Sequence, residues 1–227
     1  MNGYVLNYIL YFVIIGIPLI AQLRITSAYN KYKKVDNSKK ISGFEVARKI
    51  LDANGLQDVY VVETPGNLTD HYDPTRKVVK LSTDIFKGES IAAASVAAHE
   101  CGHAIQDKVG YSPMRIRSML VPFVNLTSKF SWIVIMLGLF TQYFKIFIVG
   151  IALISVGLLF QLVTLPVEFD ASTRGKKELK KLNLVTEDES SGVASMLYAA
   201  AMTYVASVLT SVLEILRLIL MFNNDRR

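Results

Sequence analysis

Long apolar segments constrain this sequence more than any other feature. Residues 4–23 carry no charge and are about as long as a helix that crosses a hydrocarbon core of roughly 30 Å. A second apolar block, residues 119–165, is long enough for two membrane helices joined by a tight turn near 141–143. We expect a fourth apolar segment, 193–222, to be membrane-embedded, the alternative being a long amphipathic helix packed on the domain outside the membrane. The sequence therefore predicts an α-rich integral membrane protein with three to four transmembrane helices.

Composition supports the membrane class and excludes others. Hydrophobic residues make up 52% of the chain, which is high for a soluble domain. The single cysteine excludes an internal disulfide framework. Residues 4–23 have no basic region before them, and no small-x-small cleavage site occurs before the charged residues begin, so we expect a retained anchor rather than a signal peptide. The net charge of +6 comes from basic residues beside apolar runs, which indicates membrane topology rather than nucleic-acid binding.

The positions of the basic residues predict which segments face the cytoplasm. One group follows the first span and another follows the third, so the positive-inside rule places 24–117 and 166–192 on the cytoplasmic side of the cell membrane. The first group is Arg24, Lys31, Lys33, Lys34, Lys39 and Lys40, and the second is Arg174, Lys176, Lys177, Lys180 and Lys181. We interpret the second group as a topology signal rather than a substrate clamp.

Two helices are predicted in the segment between the first and second spans. Ser42 and Glu45 have the spacing of a capping box, and Gly55 would end the helix that follows. Ser90 is a suitable N-cap for a helix over residues 91–108. These helices would form the α part of a small α+β domain.

The same segment contains β-branched runs that predict strands at 59–62 and 78–81. A turn signal at 73–76 makes residues 67–72 and 77–82 a predicted hairpin. The strand 77–82 could be an edge that binds an extended peptide by strand addition, or an ordinary interior strand. Residues 29–40, polar and rich in lysine, are predicted to be a linker.

The helix over 91–108 carries the pattern His-Glu-x-x-His. His99 and His103 are four residues apart, so both imidazoles project from one face and can bind one ion. Histidine nitrogens suit zinc, and Glu100 lies beside the ligand pair, where it can accept a proton from water. The structural alternative is a pair of packed histidines on an apolar helix. A charged Glu100 among alanines favours the metal site, because a buried charge needs a partner.

A third ligand would have to come from His71, Cys101 or Glu168. Cys101 points away from the metal and is expected to be a small buried hydrophobic residue. Glu168 follows an apolar hairpin, 119–165, that leaves the cytoplasmic face and returns to it, which would bring Glu168 close to His103. Two histidines and one glutamate with an open fourth position form the ligand set of a catalytic zinc rather than a structural one.

Three stretches carry a family resemblance over nearly the whole chain. HYDPTRKVVKLS, AAHECGHAIQ and LPVEFDAS together resemble prokaryotic neutral zinc metallopeptidases of the YugP type, a gluzincin-like membrane family. The resemblance implies an integral-membrane zinc endopeptidase with a small α+β cytoplasmic zincin domain. It also implies that His99, His103 and Glu168 bind Zn²⁺ and that Glu100 is the general base.

Two features near the predicted site keep alternatives open. Many gluzincins have Asp four residues after the ligand Glu, where this chain has Ser172, so either Ser172 or Asp170 is expected to hydrogen-bond a ligand histidine. His71 could stabilise an oxyanion opposite the zinc, or it could be an exposed hairpin residue. In a rival function, a membrane-anchored protein with a structural or sensing zinc site, His71 would be the fourth ligand and Glu100 would be idle.

The predicted organisation has five parts. Residues 1–23 form a transmembrane anchor, 24–117 a cytoplasmic catalytic segment and 118–165 a transmembrane hairpin. Residues 166–192 carry the third ligand on the cytoplasmic side, and 193–227 form a C-terminal helix. The expected partners are the lipid bilayer and a peptide or protein substrate, membrane proteins included, with no nucleic acid.

Overall fold

The computed structural model of the protein describes residues 3–224 and is mostly helical with one small sheet. Its elements in chain order are α1 (Gly3–Tyr32), α2 (Gly43–Ala53), β1 (Tyr60–Thr64), β2 (His71–Asp73), β3 (Val78–Ser82), α3 (Thr83–Lys87), α4 (Ile91–Lys108), α5 (Ser112–Thr141), α6 (Phe144–Lys181) and α7 (Glu187–Asn224). Among these described residues, four helices are long and apolar enough to cross a membrane: α1, α5, α6 and α7. The prediction of an α-rich chain with three to four candidate membrane-spanning helices is therefore confirmed.

The chain forms two compact units. The helical unit comprises Arg115–Leu165 together with the described parts of Met1–Gln22 and Thr203–Arg227. The sheet unit comprises Leu23–Met114 and Pro166–Met202 and contains all three strands.

The helical unit packs around aromatic side chains. Phe147 and Phe222 stack with ring centroids 4.3 Å apart, and Ile135 and Leu218 are buried with them. The turn between α5 and α6 falls at residues 142–143, as predicted. Gln142 has a φ of 55°, the left-handed conformation that reverses the chain in a short turn.

The sheet has the strand order β1-β3-β2. The strands β1 and β3 are parallel, with Tyr60 opposite Val78, and β2 and β3 are antiparallel, with His71 opposite Lys80. The predicted hairpin is therefore confirmed, although β2 is shorter than the 67–72 segment. The interpretation of residues 77–82 as an edge strand is wrong, because β3 is paired on both sides and is almost entirely buried.

The two predicted helices of the sheet unit begin where their caps predict. The Ser42 side chain accepts a hydrogen bond from the Glu45 N–H, and the reciprocal bond completes the capping box of α2. The Ser90 side chain accepts from the Ala93 N–H and caps α4. Small apolar residues let α4 pass through the core, and fourteen of its residues are buried.

The predicted linker over 29–40 is wrong. The helix α1 continues to Tyr32, and Tyr29 belongs to the core of the sheet unit. Asn37 is fully buried, and its amide donates to the carbonyl oxygens of Glu89 and Ile41 at 2.6 and 2.8 Å. The lysines of this segment are exposed. Because they dominate its composition, the composition gave no indication of the few side chains that pack inward.

Two glycines bring α4 and α6 into backbone contact. A Cβ at Gly102 would lie 2.3 Å from the carbonyl oxygen of Ala171, and a Cβ at Gly175 would lie 2.6 Å from that of Ala98. Glycine at both positions lets the helices approach more closely than any side chain would allow. The contact fixes the position of α6 relative to the histidine-bearing face of α4.

Gly102→Ala should destabilise the sheet unit, because the new methyl would overlap a backbone carbonyl that cannot move independently. Overpacking of this kind costs about 1–3 kcal/mol, so the thermal unfolding midpoint in detergent should fall. Gly157→Ala in α6 is the matched control, because an added Cβ there meets no atom within 4 Å. The control should keep or raise the midpoint, and an unchanged midpoint for Gly102→Ala would contradict the close contact.

Candidate metal centre

Three potential ligands from α4 and α6 converge inside the sheet unit. The Nε2 atoms of His99 and His103 lie 3.3 and 3.6 Å from Oε2 of Glu168. The side chain of Glu168 is 2% exposed, and those of the histidines are 15% and 10% exposed. Among the residues that the structure describes, these three form a His/Cys/Asp/Glu group whose ligand atoms lie within 4.8 Å of one another.

The spacing of these atoms fits a tetrahedral cation. Zinc ligands at about 2.0–2.1 Å from a tetrahedral ion are roughly 3.3–3.4 Å from each other. The measured separations of 3.3 and 3.6 Å are close to that value. A buried carboxylate beside two imidazole nitrogens is also the donor chemistry that zinc prefers. The residues present therefore fit a zinc ion.

A glutamine fixes the ring orientation of His103. Gln106 is fully buried, and its Nε2 donates to the carbonyl oxygen of Val167 at 2.7 Å and to Oδ2 of Asp170 at 2.8 Å. Both donors face away from the histidine, so the acceptor Oε1 of Gln106 is the atom that lies 3.0 Å from Nδ1 of His103. It accepts a hydrogen bond from the Nδ1–H group. In the neutral ring, Nε2 then carries the lone pair that faces Glu168, which is the form a metal ligand requires.

Ser172 and Asp170 both support the ligand histidines, each in a different way. Oγ of Ser172 lies 3.1 Å from Nδ1 of His99, so it holds that ring directly. Asp170 acts on the other ring through Gln106, and Nε of Arg174 donates to Asp170 at 2.5 Å. Of the two alternatives left open by the sequence, the hydrogen bond from Ser172 to a histidine is confirmed, and Asp170 acts on a histidine only through Gln106.

Glu100 lies next to the ligands in α4 and is only 7% exposed. Burial raises the pKa of its carboxyl above the usual range. The negative charges of Glu168 and Asp70 add to this increase, whereas the two histidines oppose it. Burial would lower the pKa of His103, but the carboxylates of Glu168 and Glu100 raise it. The negative charge concentrated here favours a bound cation.

His71 is not a member of the three-residue group among the described residues. Its side chain lies on the exposed face of β2, and Nδ1 is 2.8 Å from the carbonyl oxygen of Thr69. Because a carbonyl only accepts, Nδ1 is the protonated nitrogen of the neutral ring. Only a doubly protonated His71 could therefore donate from Nε2 to an oxyanion.

Cys101 lies on the opposite side of α4 from the metal centre, as predicted. Its thiol is fully buried, with Sγ 3.6 Å from the carbonyl oxygen of Ala47. Burial raises the pKa of this thiol well above its ordinary value. Cys101 is therefore an unreactive core residue rather than a ligand.

Gln106 and Arg174 support the site, although no pattern in the sequence analysis predicted that role. A signal for Gln106 was present, since it is an uncharged polar residue three positions after His103 on a helix of small apolar residues. Arg174 belongs to the basic group that predicts topology. Its guanidinium also pairs with Asp170 and lies 5.8 Å from the ring centroid of Tyr111.

Comparison with known proteins also indicates a zinc site in this chain. The sequence profile of the family described as "Putative neutral zinc metallopeptidase" matches residues 7–223. The "Putative membrane protease YugP" of Bacillus subtilis (strain 168) is 43% identical over 212 residues, which cover 93% of this chain and 94% of that protein. No solved structure matches the chain significantly. The chain therefore belongs to the family described as "Putative neutral zinc metallopeptidase".

Proposed function

We propose that the protein is a membrane-embedded, gluzincin-like zinc endopeptidase in which His99, His103 and Glu168 hold the metal. One observation carries this proposal: the Nε2 atoms of both histidines face the same buried carboxylate oxygen at 3.3 and 3.6 Å. The support of His103 adds to it, because the Gln106 oxygen only accepts and so selects the form of histidine that binds a metal, while Ser172 holds the ring of His99. Family membership supports the same function.

The proposed chemistry is hydrolysis of a peptide bond. Zinc, when bound by these three side chains, supplies Lewis-acid activation of water and of the peptide carbonyl. Glu100 is the general base: it accepts a proton from the attacking water and then donates that proton to the nitrogen of the departing amine.

We also propose that the metal centre serves the cytoplasmic side of the cell membrane. The support is the distribution of Lys and Arg after the first and third apolar segments. The substrate would be a peptide or protein, membrane proteins included, and the other partner is the lipid bilayer. His71 remains a candidate for stabilising the oxyanion, in a protonated form only.

Glu168→Ala should abolish tight zinc binding, because it removes one of three donors and leaves two neutral imidazoles. Metal analysis of the purified protein after dialysis measures the loss. Glu178→Ala is the matched control, since Glu178 is also a buried carboxylate of α6 but pairs with Lys181 instead. Undiminished zinc in Glu168→Ala would remove Glu168 from the ligand set and favour His71 in its place.

Glu100→Gln should retain zinc and lose hydrolysis. The amide keeps the size of the side chain but cannot accept the proton, and general acid–base catalysis contributes about 10²–10⁴-fold. Zinc content and cleavage of casein in detergent are compared for the wild-type chain and the variant. Equal rates with equal zinc would contradict the proposed mechanism. Loss of zinc with the amide would instead support a structural role for Glu100.

Single cysteines should report the orientation of the chain in the membrane. Lys39→Cys, in an exposed loop, should resist a membrane-impermeant thiol reagent in intact cells and react after lysis. Tyr143→Cys, in the exposed turn between α5 and α6, should react in intact cells. The wild-type chain is the background control, because its only cysteine is buried. The opposite labelling pattern would invert the proposed topology.

A further inference from the structure

A cleft of about 440 Å³ lies between α6 and α7 within the sheet unit. The α6 side includes Phe169, Ser172 and Lys176, and the α7 side includes Ser195 and Tyr198. Apolar and hydroxyl side chains predominate, with Phe169, Tyr198 and Lys176 exposed. A volume of this size falls within the range of ligand-binding pockets, roughly 300–1,000 Å³.

The cleft shares a wall with the metal centre. Ser172 lines the cleft, and its hydroxyl lies 3.1 Å from Nδ1 of His99. A molecule in the cleft would therefore lie one side chain away from a ligand of the proposed metal. That position suits part of a substrate whose scissile bond is at the metal.

Lys176 is the charged residue among those that line the cleft. Two neighbouring basic residues pair with carboxylates: Arg174 with Asp170 at 2.5 Å and Lys180 with Glu187 at 3.0 Å. Lys176 has no carboxylate at ion-pair distance among the residues described here, and the residues that line the cleft include no Asp or Glu. A lone ammonium group at the rim of a largely uncharged cleft is complementary to a negatively charged ligand.

We propose that this cleft is a substrate subsite, which accepts an apolar side chain of the peptide while Lys176 pairs with a nearby carboxylate. The inference rests on the proposed peptidase function. Lys176 is one helical turn beyond Ser172, roughly 6 Å along α6. An extended peptide advances about 3.3 Å per residue. The acidic residue that pairs with Lys176 should therefore lie within about two or three positions of the peptide residue beside His99. A peptide is favoured over a lipid because the cleft adjoins the metal centre.

The first test is the cleavage specificity on an unfolded protein. Casein is digested by each variant, and the residues flanking each cleaved bond are identified by mass spectrometry. The wild-type chain should show Asp or Glu enriched at one position within about three residues of the cleaved bond. Lys176→Glu should lose this preference and favour Lys or Arg at the same position. Lys177→Glu, also exposed but outside the cleft, is the matched control and should keep the wild-type pattern.

A second variant tests the apolar part of the subsite. Ser195→Trp would fill the cleft from α7 and should lower kcat/KM roughly tenfold or more through misplacement of the peptide. Ser191→Trp, one turn earlier on α7 and also exposed, is the matched control and should leave kcat/KM unchanged. Equal kcat/KM values for the two tryptophan variants would overturn the subsite.

A binding measurement separates this inference from the proposed function. Glu100→Gln protein loaded with zinc is titrated with a fluorescent peptide centred on Leu-Leu-Asp and with its counterpart centred on Leu-Leu-Lys. The acidic peptide should bind more tightly, and Lys176→Glu should weaken it by about five-fold. This result with no hydrolysis by the wild-type chain would refute the peptidase and retain the cleft as a binding site for acidic peptides. Equal binding of both peptides, or an effect of Lys176→Glu on binding to anionic lipid vesicles alone, would refute the subsite.

Discussion

The close approach of α4 and α6 is the constraint on which the candidate metal centre depends. Gly102 and Gly175 each place a Cα where any side chain would overlap the carbonyl of the other helix. At this separation the side chain of Glu168 is 2% exposed, and its Oε2 lies 3.3 and 3.6 Å from the Nε2 atoms of the two histidines. A buried carboxylate is unfavourable without a partner, so the helix contact and the proposed ligand set stabilise the same arrangement.

Local sequence signals predicted much of the sheet unit. The caps at Ser42 and Ser90 fixed the starts of α2 and α4, because each side chain accepts from a backbone N–H within three residues. The pair His99 and His103 was recognisable because the helical repeat alone places both rings on one face. Glu168 was predicted for a different reason: an apolar hairpin was expected to return the chain to the side of the membrane that it had left.

Features that depend on distant parts of the chain were not predictable in the same way. The central position of β3 depends on its pairing with β1, and the strand pattern of residues 77–82 is the same at an edge or in the middle. Asn37 packs against Glu89, 52 positions later, so its burial leaves no local signal in a lysine-rich segment. The role of Gln106 depends on Asp170, which approaches it only after α4 and α6 have packed.

One helix, α6, connects these parts because successive residues point to different neighbours. Glu168, Ala171 and Gly175 face α4 and provide the ligand and the helix contact. Asp170 and Arg174, four residues apart, form a second stripe that holds Gln106. Positions 169, 172, 173 and 176 line the cleft beside α7. A rotation or shift of α6 would therefore displace the proposed carboxylate ligand, the Asp170–Arg174 pair and the proposed subsite together, since the helical repeat couples all three stripes.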